Sequence, residues 1–316
     1  MAKAVSTTVV KNKKSFGEKL LDNWQLILLA LPGFVFYVIF RYGPIYGLTI
    51  AFKDYSVFLG ILESPWADPL FEHFIRFFSS GDFIKLFKNT LLIGVFTLVW
   101  TFPFPVIFAI FLNEVRSLKF KKTVQTITYL PSLLSVVVVC SMLIDMLSPS
   151  SGIINSIIKA LGGEAIYFMV KPEWFRTIYI ASGIWHSFGN SAVIYIAALS
   201  NVDPQLYEAA KIDGCSRLKM IWHVTLPGIL PTVVTMFIMN SGNILKVGSE
   251  KILLLYNPAT YKVADTFSTF VYREGILGYK NESYTTAVGL FESLVALVLV
   301  IITNTLSRKL SETSLW

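Results

Sequence analysis

The residues best suited to bind a ligand are polar side chains inside three long apolar runs of the sequence. They are Trp185, Asn190, Asn240, Asn243 and Glu292. Polar groups in such runs are costly, so they often mark a transport path. Amide and carboxylate groups hydrogen-bond to sugar hydroxyls, and an indole ring packs on the apolar face of a sugar. The pattern predicts a wet substrate path, and the alternative is that these groups bind neighbouring helices to one another.

The histidines and cysteines form no recognisable metal site or catalytic group in the sequence. His73, His186, His223, Cys140 and Cys215 lie on different segments, without the short spacings typical of metal ligands or of a nucleophile with its base. The phosphate-binding pattern G-x-x-x-x-G-K, followed by Ser or Thr, is absent as well. We therefore predict no metal site, no enzymatic activity and no ATP hydrolysis by this chain.

The composition excludes a water-soluble enzyme. Of 316 residues, 54% are hydrophobic, 15% aromatic and 15% charged, whereas about 25% of a typical soluble chain is charged. A soluble domain of this size has no place to bury so much apolar surface. The net charge is +7, but the basic residues form no stripe interleaved with aromatics, so nucleic acid is not an expected partner. We predict an all-α polytopic membrane protein, surrounded by membrane lipid.

Six apolar segments are long enough to cross a hydrocarbon layer of about 30 Å, which takes about 20 helical residues. The predicted spans cover residues 25–48, 89–112, 127–147, 176–200, 227–246 and 285–306. They form one transmembrane domain over 25–306, between an N-terminal segment over 1–24 and a tail over 307–316. Residues 15–24 mix apolar and charged side chains, which indicates either a helix on the membrane surface or a plain basic leader.

The distribution of basic residues predicts the orientation of the spans. With both termini in the cytoplasm, the inner segments hold 14 Lys and Arg against 7 Asp and Glu, and the rest of the chain holds 13 of each. Cytoplasmic loops of membrane proteins carry such an excess. We therefore expect cytoplasmic termini and three long outer connections, over 49–88, 148–175 and 247–284.

The inner connection over 201–226 is predicted to form two short helices. Asp203 is a good N-cap for the first helix, and Gly214 can close it in a left-handed conformation. Ser216 can cap the second helix, which is expected to end at Pro227, where the next span begins. The turn chemistry alone therefore predicts a compact structure on the inner face.

Four residues of the first helix suit contact with another protein. They are Glu208, Ala209, Ala210 and Asp213. Leu206, Ala209, Ala210 and Asp213 fall on adjoining faces of the helix at three- and four-residue spacing. The two small alanines on this surface let another backbone approach closely. Glu208 beside them offers an acid to a charged partner. The alternative is an ordinary surface helix on a membrane protein.

The spacing in this loop resembles the EAA loop of permease subunits in bacterial binding-protein-dependent ATP-binding-cassette (ABC) importers. Glu-Ala-Ala at 208–210 is followed after three residues by Gly214, and later by Val224 and Leu226-Pro227. The approach Leu-Ser-Asn-Val-Asp-Pro-Gln-Leu-Tyr-Glu-Ala-Ala is similar to the maltose-type carbohydrate branch, including importers of polysaccharides such as alginate. One departure is Cys215, where the family usually has Ala.

The resemblance implies a type I ABC importer permease fold with six spans, in the bacterial cytoplasmic membrane. Its cargo would be oligosaccharides, with acidic or polysaccharide-derived ones among the candidates. The loop would be a coupling helix that docks on a separate ATPase. The residues implied for this contact are Glu208, Ala209, Ala210, Asp213, Gly214 and Pro227.

The same resemblance implies the partners. They would be a second homologous permease subunit, two ATPase subunits that bind the ATP and Mg²⁺, and an extracytoplasmic sugar-binding protein received by the long outer connections. No cofactor is expected on this chain.

Two other function classes are compatible with the composition. An ion-coupled secondary transporter would need buried acid–base pairs or inverted repeats, and the sequence offers Glu292 alone and no obvious repeat. A membrane-embedded enzyme would need catalytic residues at a workable spacing, and the scattered histidines do not provide it.

Overall fold

The computed structural model describes residues 22–241, 244, 248–278 and 281–311. Within these residues the regular structure is helical, and the one β feature is an isolated bridge between Lys53 and Trp66. The predicted all-α fold class is therefore confirmed. Of the segment over 15–24, predicted as a surface helix or a leader, all but the last three residues lie outside the described part of the chain.

Fourteen helices follow one another in the described residues, when a helix and an adjoining π or 3-10 turn are counted as one. They are α1 (Trp24–Phe52), α2 (Gly60–Glu63), α3 (Glu72–Ser79), α4 (Gly81–Glu114), α5 (Leu118–Leu133), α6 (Val136–Met146), α7 (Ile153–Ala160), α8 (Pro172–Ser200), α9 (Pro204–Ile212), α10 (Arg217–Ser241), α11 (Ser249–Leu255), α12 (Tyr261–Ala264), α13 (Phe267–Val271, continued by a π turn over Tyr272–Leu277) and α14 (Glu282–Ser311).

Four of these helices are each long and apolar enough to cross a membrane, namely α1, α4, α10 and α14. Helices α5 and α6 are long and apolar enough only when they are taken together as one bent pair. Helix α8 has 29 residues, but polar side chains such as Asn190 lower its hydropathy. The structure thus has the helices that a polytopic membrane protein needs, and the count of six spans stays a prediction.

The third predicted span, over 127–147, differs from the observed structure. Helices α5 and α6 meet there at 96°, so the chain turns sharply instead of continuing straight. Pro131 lies in the 3-10 turn that ends α5. Ser135 then caps α6, since its side chain accepts a hydrogen bond of 3.3 Å from the N–H of Val138. A proline and a new N-cap this close together account for the break.

The prediction that Pro227 ends a helix is wrong. Helix α10 continues through this residue, so the second loop helix and the fifth predicted span are one helix of 25 residues. A π turn over Ile221–Thr225 precedes the proline, and in it the N–H of Leu226 bonds to the C=O of Ile221. Such a turn adjusts the backbone hydrogen bonds next to a residue that cannot donate one.

Helix α8 packs along α4 through two separate apolar clusters. The buried residues of the first cluster are Ile93, Cys140, Phe175, Tyr179, Ile252, Leu255 and Ala264. Those of the second are Val106, Ala109, Ile110, Ala192, Tyr195, Leu199 and Ile229. The first cluster lies at the N-terminal end of α8 and the second at its C-terminal end. Burial of both fixes the two helices side by side and leaves a polar stretch between the clusters.

Polar contacts hold the connection between α10 and α14 against the bundle. Asn89 of α4 donates from Nδ2 to the carbonyl oxygens of Lys262 and Asp265, at 3.0 and 3.1 Å. Its Oδ1 accepts a hydrogen bond of 3.0 Å from Arg176 of α8. Asn89 is buried, so one side chain joins α4, α8 and the connection through hydrogen bonds shielded from solvent.

Candidate functional sites

A cavity of about 260 Å³ lies between the two apolar clusters. Its walls come from α4, α8 and α10, together with the residues that follow α10. The residues on the walls with polar side chains are Thr97, Thr101, Tyr179, Ser187, Ser191, Tyr195 and Asn240. Hydroxyl and amide groups both donate and accept hydrogen bonds, so this cavity can hold a hydroxyl-rich ligand.

Helical spacing brings the polar side chains to the cavity. Thr97 and Thr101 are four residues apart on α4, and Ser187, Ser191 and Tyr195 repeat at the same spacing on α8. Residues four apart lie on the same face of a helix. The parallel packing of α4 and α8 therefore turns two polar stripes toward one space.

The side chains of the cavity are partly engaged with their own helices. Ser187 donates a hydrogen bond of 2.8 Å to the carbonyl of Gly183, and Asn240 donates one of 2.8 Å to the carbonyl of Met236. Thr101 donates to the carbonyl of Thr97. In each case the side-chain oxygen can still accept a hydrogen bond, which a sugar hydroxyl supplies.

The structure brings one of the predicted path residues to the cavity wall. Asn240 lines the cavity, whereas Trp185 and Asn190 lie on exposed parts of α8 and are not on its walls. Glu292 is buried in α14 and accepts a hydrogen bond of 2.8 Å from Ser268. Asn243 lies outside the described residues. The contact of Glu292 with Ser268 joins two helices. It therefore fits the alternative to a substrate path, in which these polar residues bind neighbouring helices to one another.

Sequence reasoning did not identify Thr97, Thr101 and Tyr195 as cavity residues. The available signal was the spacing of four along α4 and α8, which puts small polar residues on one face of each helix. A Thr in an apolar run can bond its hydroxyl to the preceding turn, as Thr101 does. The sequence therefore gives no sign that the buried hydroxyl of Thr97 has no partner in the structure.

The chain after α10 passes very close to α4 at Gly94. A Cβ atom on Gly94 would overlap the backbone carbonyl of Ile244, and both residues line the cavity. Only glycine permits this distance between the two backbones. The end wall of the cavity therefore depends on a residue without a side chain.

The inner loop has the local structure predicted for it. The side chain of Asp203 caps α9 by accepting a hydrogen bond of 2.9 Å from the N–H of Gln205. Gly214 has a φ of +71°, and the next residue, Cys215, bonds through its N–H to the C=O of Ala210 at 2.9 Å. This is a glycine-terminated helix end that satisfies the last carbonyls of α9. Ser216 then caps α10.

The surface of this loop is open and partly apolar. Glu208, Ala209, Asp213 and Gly214 are exposed, and Ala210 is half-buried. The large apolar side chains of the loop are exposed too, namely Leu206 at 51%, Ile212 at 85%, Leu218 at 70% and Trp222 at 67%. Pro227 lies farther along α10, outside the α9 surface. Several exposed large apolar side chains in one short loop, together with an exposed acid, are typical of a site that another protein covers.

One contact ties the loop to the long helix. The hydroxyl of Tyr207 donates a hydrogen bond of 3.1 Å to Oγ1 of Thr225, and Thr225 is completely buried. Beside it, a cleft of about 380 Å³ lies between the end of α4 and the loop. Its charged lining residues are three basic ones, Arg116, Lys211 and Arg217, and one acidic one, Glu114. The loop is therefore anchored on α10 and stands clear of α4.

Comparison with known proteins gives a family match over most of the chain. Residues 106–312 match the family described as "Binding-protein-dependent transport system inner membrane component". This range includes the inner loop and the whole of α8 and α10, two of the helices that line the cavity.

Characterised relatives match along nearly the whole length. The chain is 43% identical to the "Polygalacturonan/rhamnogalacturonan transport system permease protein YteP" of Bacillus subtilis (strain 168), covering 100% of this chain and 98% of that one. It is 39% identical to the protein LplB of the same organism, covering 93% and 92%.

A solved structure matches equally well. A chain in the crystal structure of a bacterial ABC transporter involved in the import of the acidic polysaccharide alginate is 40% identical, with a TM-score of 0.87, covering 94% of this chain and 100% of that one. These similarities confirm the resemblance predicted from the inner loop and the permease fold that it implies.

Proposed function

Since this chain belongs to the family of binding-protein-dependent transport system inner membrane components, we propose that it carries an acidic oligosaccharide, derived from a polysaccharide, into the cell. It is the membrane permease subunit of an ABC importer for sugars, and it is not an enzyme, because the ATPase is a separate subunit. The acidic cargo is the finer part of the proposal. It rests on the 43% identity, over the whole chain, with a permease named for polygalacturonan and rhamnogalacturonan.

The cavity is consistent with a sugar cargo. Its threonine, serine, tyrosine and asparagine side chains supply hydrogen bonds suited to hydroxyl groups. At about 260 Å³ it has the size of a subsite for one or two sugar units, not of a site for a whole chain. A second, homologous permease subunit would complete the path around a longer oligosaccharide.

We assign the coupling function to the inner loop. Glu208, Ala209 and Ala210 would seat α9 in a cleft of the ATPase, with Asp213 and Gly214 ending the helix beside it. ATP binding and hydrolysis, with Mg²⁺, would move two ATPase subunits and carry the loop with them. The exposed apolar side chains around Glu208 support this assignment.

The orientation follows the charge distribution. Both termini and the inner loop would face the cytoplasm, and the long connections would face an extracytoplasmic sugar-binding protein that delivers the cargo. The excess of Lys and Arg on the predicted inner segments supports this arrangement.

The test is ATP-driven uptake by the complete transporter in proteoliposomes, with the binding protein outside and ATP inside. We expect uptake of trigalacturonate that continues after a protonophore and a sodium ionophore collapse the ion gradients. Uptake that needs an ion gradient and not ATP would instead favour an ion-coupled transporter. If the transporter takes up the neutral probe maltotriose but not trigalacturonate, then the role as a sugar importer stands and the acidic cargo is refuted.

A further inference from the structure

A lysine lies against the cavity wall at the end nearer the predicted outer side. Lys251 is on α11, and its ammonium donates a hydrogen bond of 2.7 Å to the backbone carbonyl of Tyr179. The same ammonium lies 4.7 Å from the centre of the Tyr179 ring. Tyr179 and Gly248 both line the cavity. The charge is thus separated from the cavity by one aromatic side chain.

This charge is not neutralised by a neighbouring carboxylate. Across the described part of the chain, no Asp or Glu oxygen lies within 4.0 Å of the Lys251 nitrogen, and the contacts of that nitrogen are the carbonyl and ring of Tyr179. An ammonium has three N–H donors, of which one is used here. Charges that are partly removed from water are normally paired. Lys251 is half-buried, so it retains capacity to bind an anion.

Two arginines near this region, among the residues that the structure describes, are engaged in hydrogen bonds, although the buried Nε of Arg176 has no partner. Arg176 of α8 donates to Asn89 and to the carbonyl of Val263, at 3.0 and 3.4 Å. Arg273 is paired with Asp265. Gly183 lies one turn along α8 from Tyr179, and a Cβ on it would come within 3.4 Å of the Lys251 nitrogen. A glycine there keeps the space around the ammonium open.

Among the described residues, the cavity wall carries no charge that would compensate an anion. The polar groups on this part of the wall are neutral hydroxyls and amides. Moving a carboxylate from water into such a space is unfavourable unless a positive charge lies nearby. A neutral sugar does not have this requirement, so a cation at the rim distinguishes acidic cargo from neutral cargo.

We propose that Lys251 is a specificity-determining residue, which pairs with a uronate carboxylate of the cargo as it enters the cavity past Tyr179. This inference rests on the proposed import of acidic oligosaccharides and names the group of this chain that recognises the acid. Tyr179 holds the ammonium in place and packs against the sugar ring.

The experiment compares trigalacturonate with its trimethyl ester, in which a methyl group on each carboxyl removes the negative charge and leaves the sugar rings unchanged. ATP-driven uptake is measured in proteoliposomes of the complete transporter, with the same binding protein throughout, so that any change in the ratio of the two rates comes from the permease. The variants are Lys251→Met, which keeps the length without the charge, and Lys251→Arg, which keeps the charge. Lys262→Met is the matched control, because Lys262 is an exposed lysine of the same connection.

We expect Lys251→Met to lower the ratio of acid to ester uptake about tenfold, as loss of a partly buried charge pair does. Lys251→Arg and Lys262→Met should keep the ratio within about twofold of the wild type, the range left by exposed charges. A wild-type ratio in Lys251→Met overturns the proposal, and so does an equal loss of both rates in that variant.

Uptake by the wild-type transporter distinguishes a failure of the proposed function from a failure of the inference about Lys251. If the wild-type transporter takes up maltotriose and neither uronate probe, then the acidic cargo itself is refuted and the role of Lys251 with it. If the wild type takes up trigalacturonate and Lys251→Met does so at the same ratio, then only the inference about Lys251 fails.

Discussion

Arg273 and Asp265 are joined by two parallel hydrogen bonds, of 3.0 Å between Nη1 and Oδ1 and 2.8 Å between Nη2 and Oδ2. The carboxylate is completely buried, while the guanidinium side chain is 23% exposed. Hydrogen bonding to Asp265 raises the pKa of Arg273 above its usual value, so the arginine stays charged. Asp265 also accepts through its backbone from Asn89 of α4. The pair therefore fixes the connection between α10 and α14 to the ends of the bundle.

Removing the arginine of this pair should destabilise the protein. Arg273→Met leaves a buried carboxylate whose next cation, Lys85, is 4.0 Å away, and breaking such a pair costs about 3–5 kcal/mol. The measurement is thermal unfolding of the purified protein in detergent. Glu274→Gln is the control, because the Glu274 side chain is 44% exposed at its 3.3 Å contact with Arg273, and such a contact is worth about 1 kcal/mol or less. Equal shifts in the two variants would contradict a dominant role for Asp265.

Reversing the charge on the inner loop should uncouple ATP hydrolysis from transport. Glu208→Lys is an exposed change, so the folded permease should remain, while contact with a basic site on the ATPase becomes repulsive. We expect uptake to fall by more than about tenfold, as for a lost interfacial charge pair, measured with the assembled transporter. Glu164→Lys, also exposed but on a predicted outer connection, is the control. Normal uptake by Glu208→Lys would argue against docking at this residue.

Gly214 of the inner loop and Gly162 of a predicted outer connection both have a left-handed backbone conformation. Alanine should therefore cause similar backbone strain at either position. Gly214 and Gly162 have φ values of +71° and +85°, and on either residue a Cβ would meet no atom within 4 Å. Alanine at such a position costs about 1 kcal/mol. We expect Gly214→Ala and Gly162→Ala to lower the melting temperature similarly, and only Gly214→Ala to reduce uptake. A similar loss of uptake in both would mean that strain alone, and not the loop, is responsible.

The close approach at Gly94 should not tolerate a methyl group. Gly94→Ala would push the backbone at Ile244 away from α4 and change the end wall of the cavity, with a cost of about 1–3 kcal/mol for overpacking. Uptake and melting temperature should both fall. Gly289→Ala is the matched control on α14, since a Cβ there would meet no atom within 4 Å. If Gly94→Ala behaves like Gly289→Ala, the packing at this wall is looser than the structure implies.

Two of the predicted path residues should respond differently to mutation. Asn240→Leu removes an amide from the cavity wall, which should raise the apparent KM for uptake by about 5–30-fold through loss of one or two hydrogen bonds. Glu292→Leu leaves Ser268 without its acceptor and should lower the melting temperature with little change in KM. A raised KM in Glu292→Leu at unchanged stability would return that residue to the substrate path.

Local chemistry made the inner loop predictable from the sequence. Asp203, Gly214 and Ser216 act on their immediate neighbours, through caps and a left-handed backbone, so their effect needs no knowledge of the rest of the fold. The structure has all three features where they were expected. The apolar runs were equally visible because helix length and hydropathy are also local properties.

Features that depend on packing could not be predicted in the same way. Pro227 indicates a helix end by the usual rule, but the π turn before it allows α10 to continue. Thr97 and Ser187 are ordinary residues within their own helices, and they share a cavity only because two apolar clusters set α4 beside α8. Lys251 lies in a predicted outer connection, and its position against Tyr179 follows from the way that connection folds back.

The continuity of α10 has a mechanical consequence. Its 25 residues at about 1.5 Å each give a continuous rod of about 37 Å, which contains Pro227 and Pro231. Thr225, with its bond to the loop tyrosine, is toward one end of this rod, and Asn240 is on the last turn at the other end. Thr225 is the last residue of the π turn, so a displacement of the proposed coupling loop would pass along one helix, through Pro227 and Pro231, to the cavity wall at Asn240. The proposed coupling loop and the cavity wall would therefore share one helix, so a displacement of one would also displace the other.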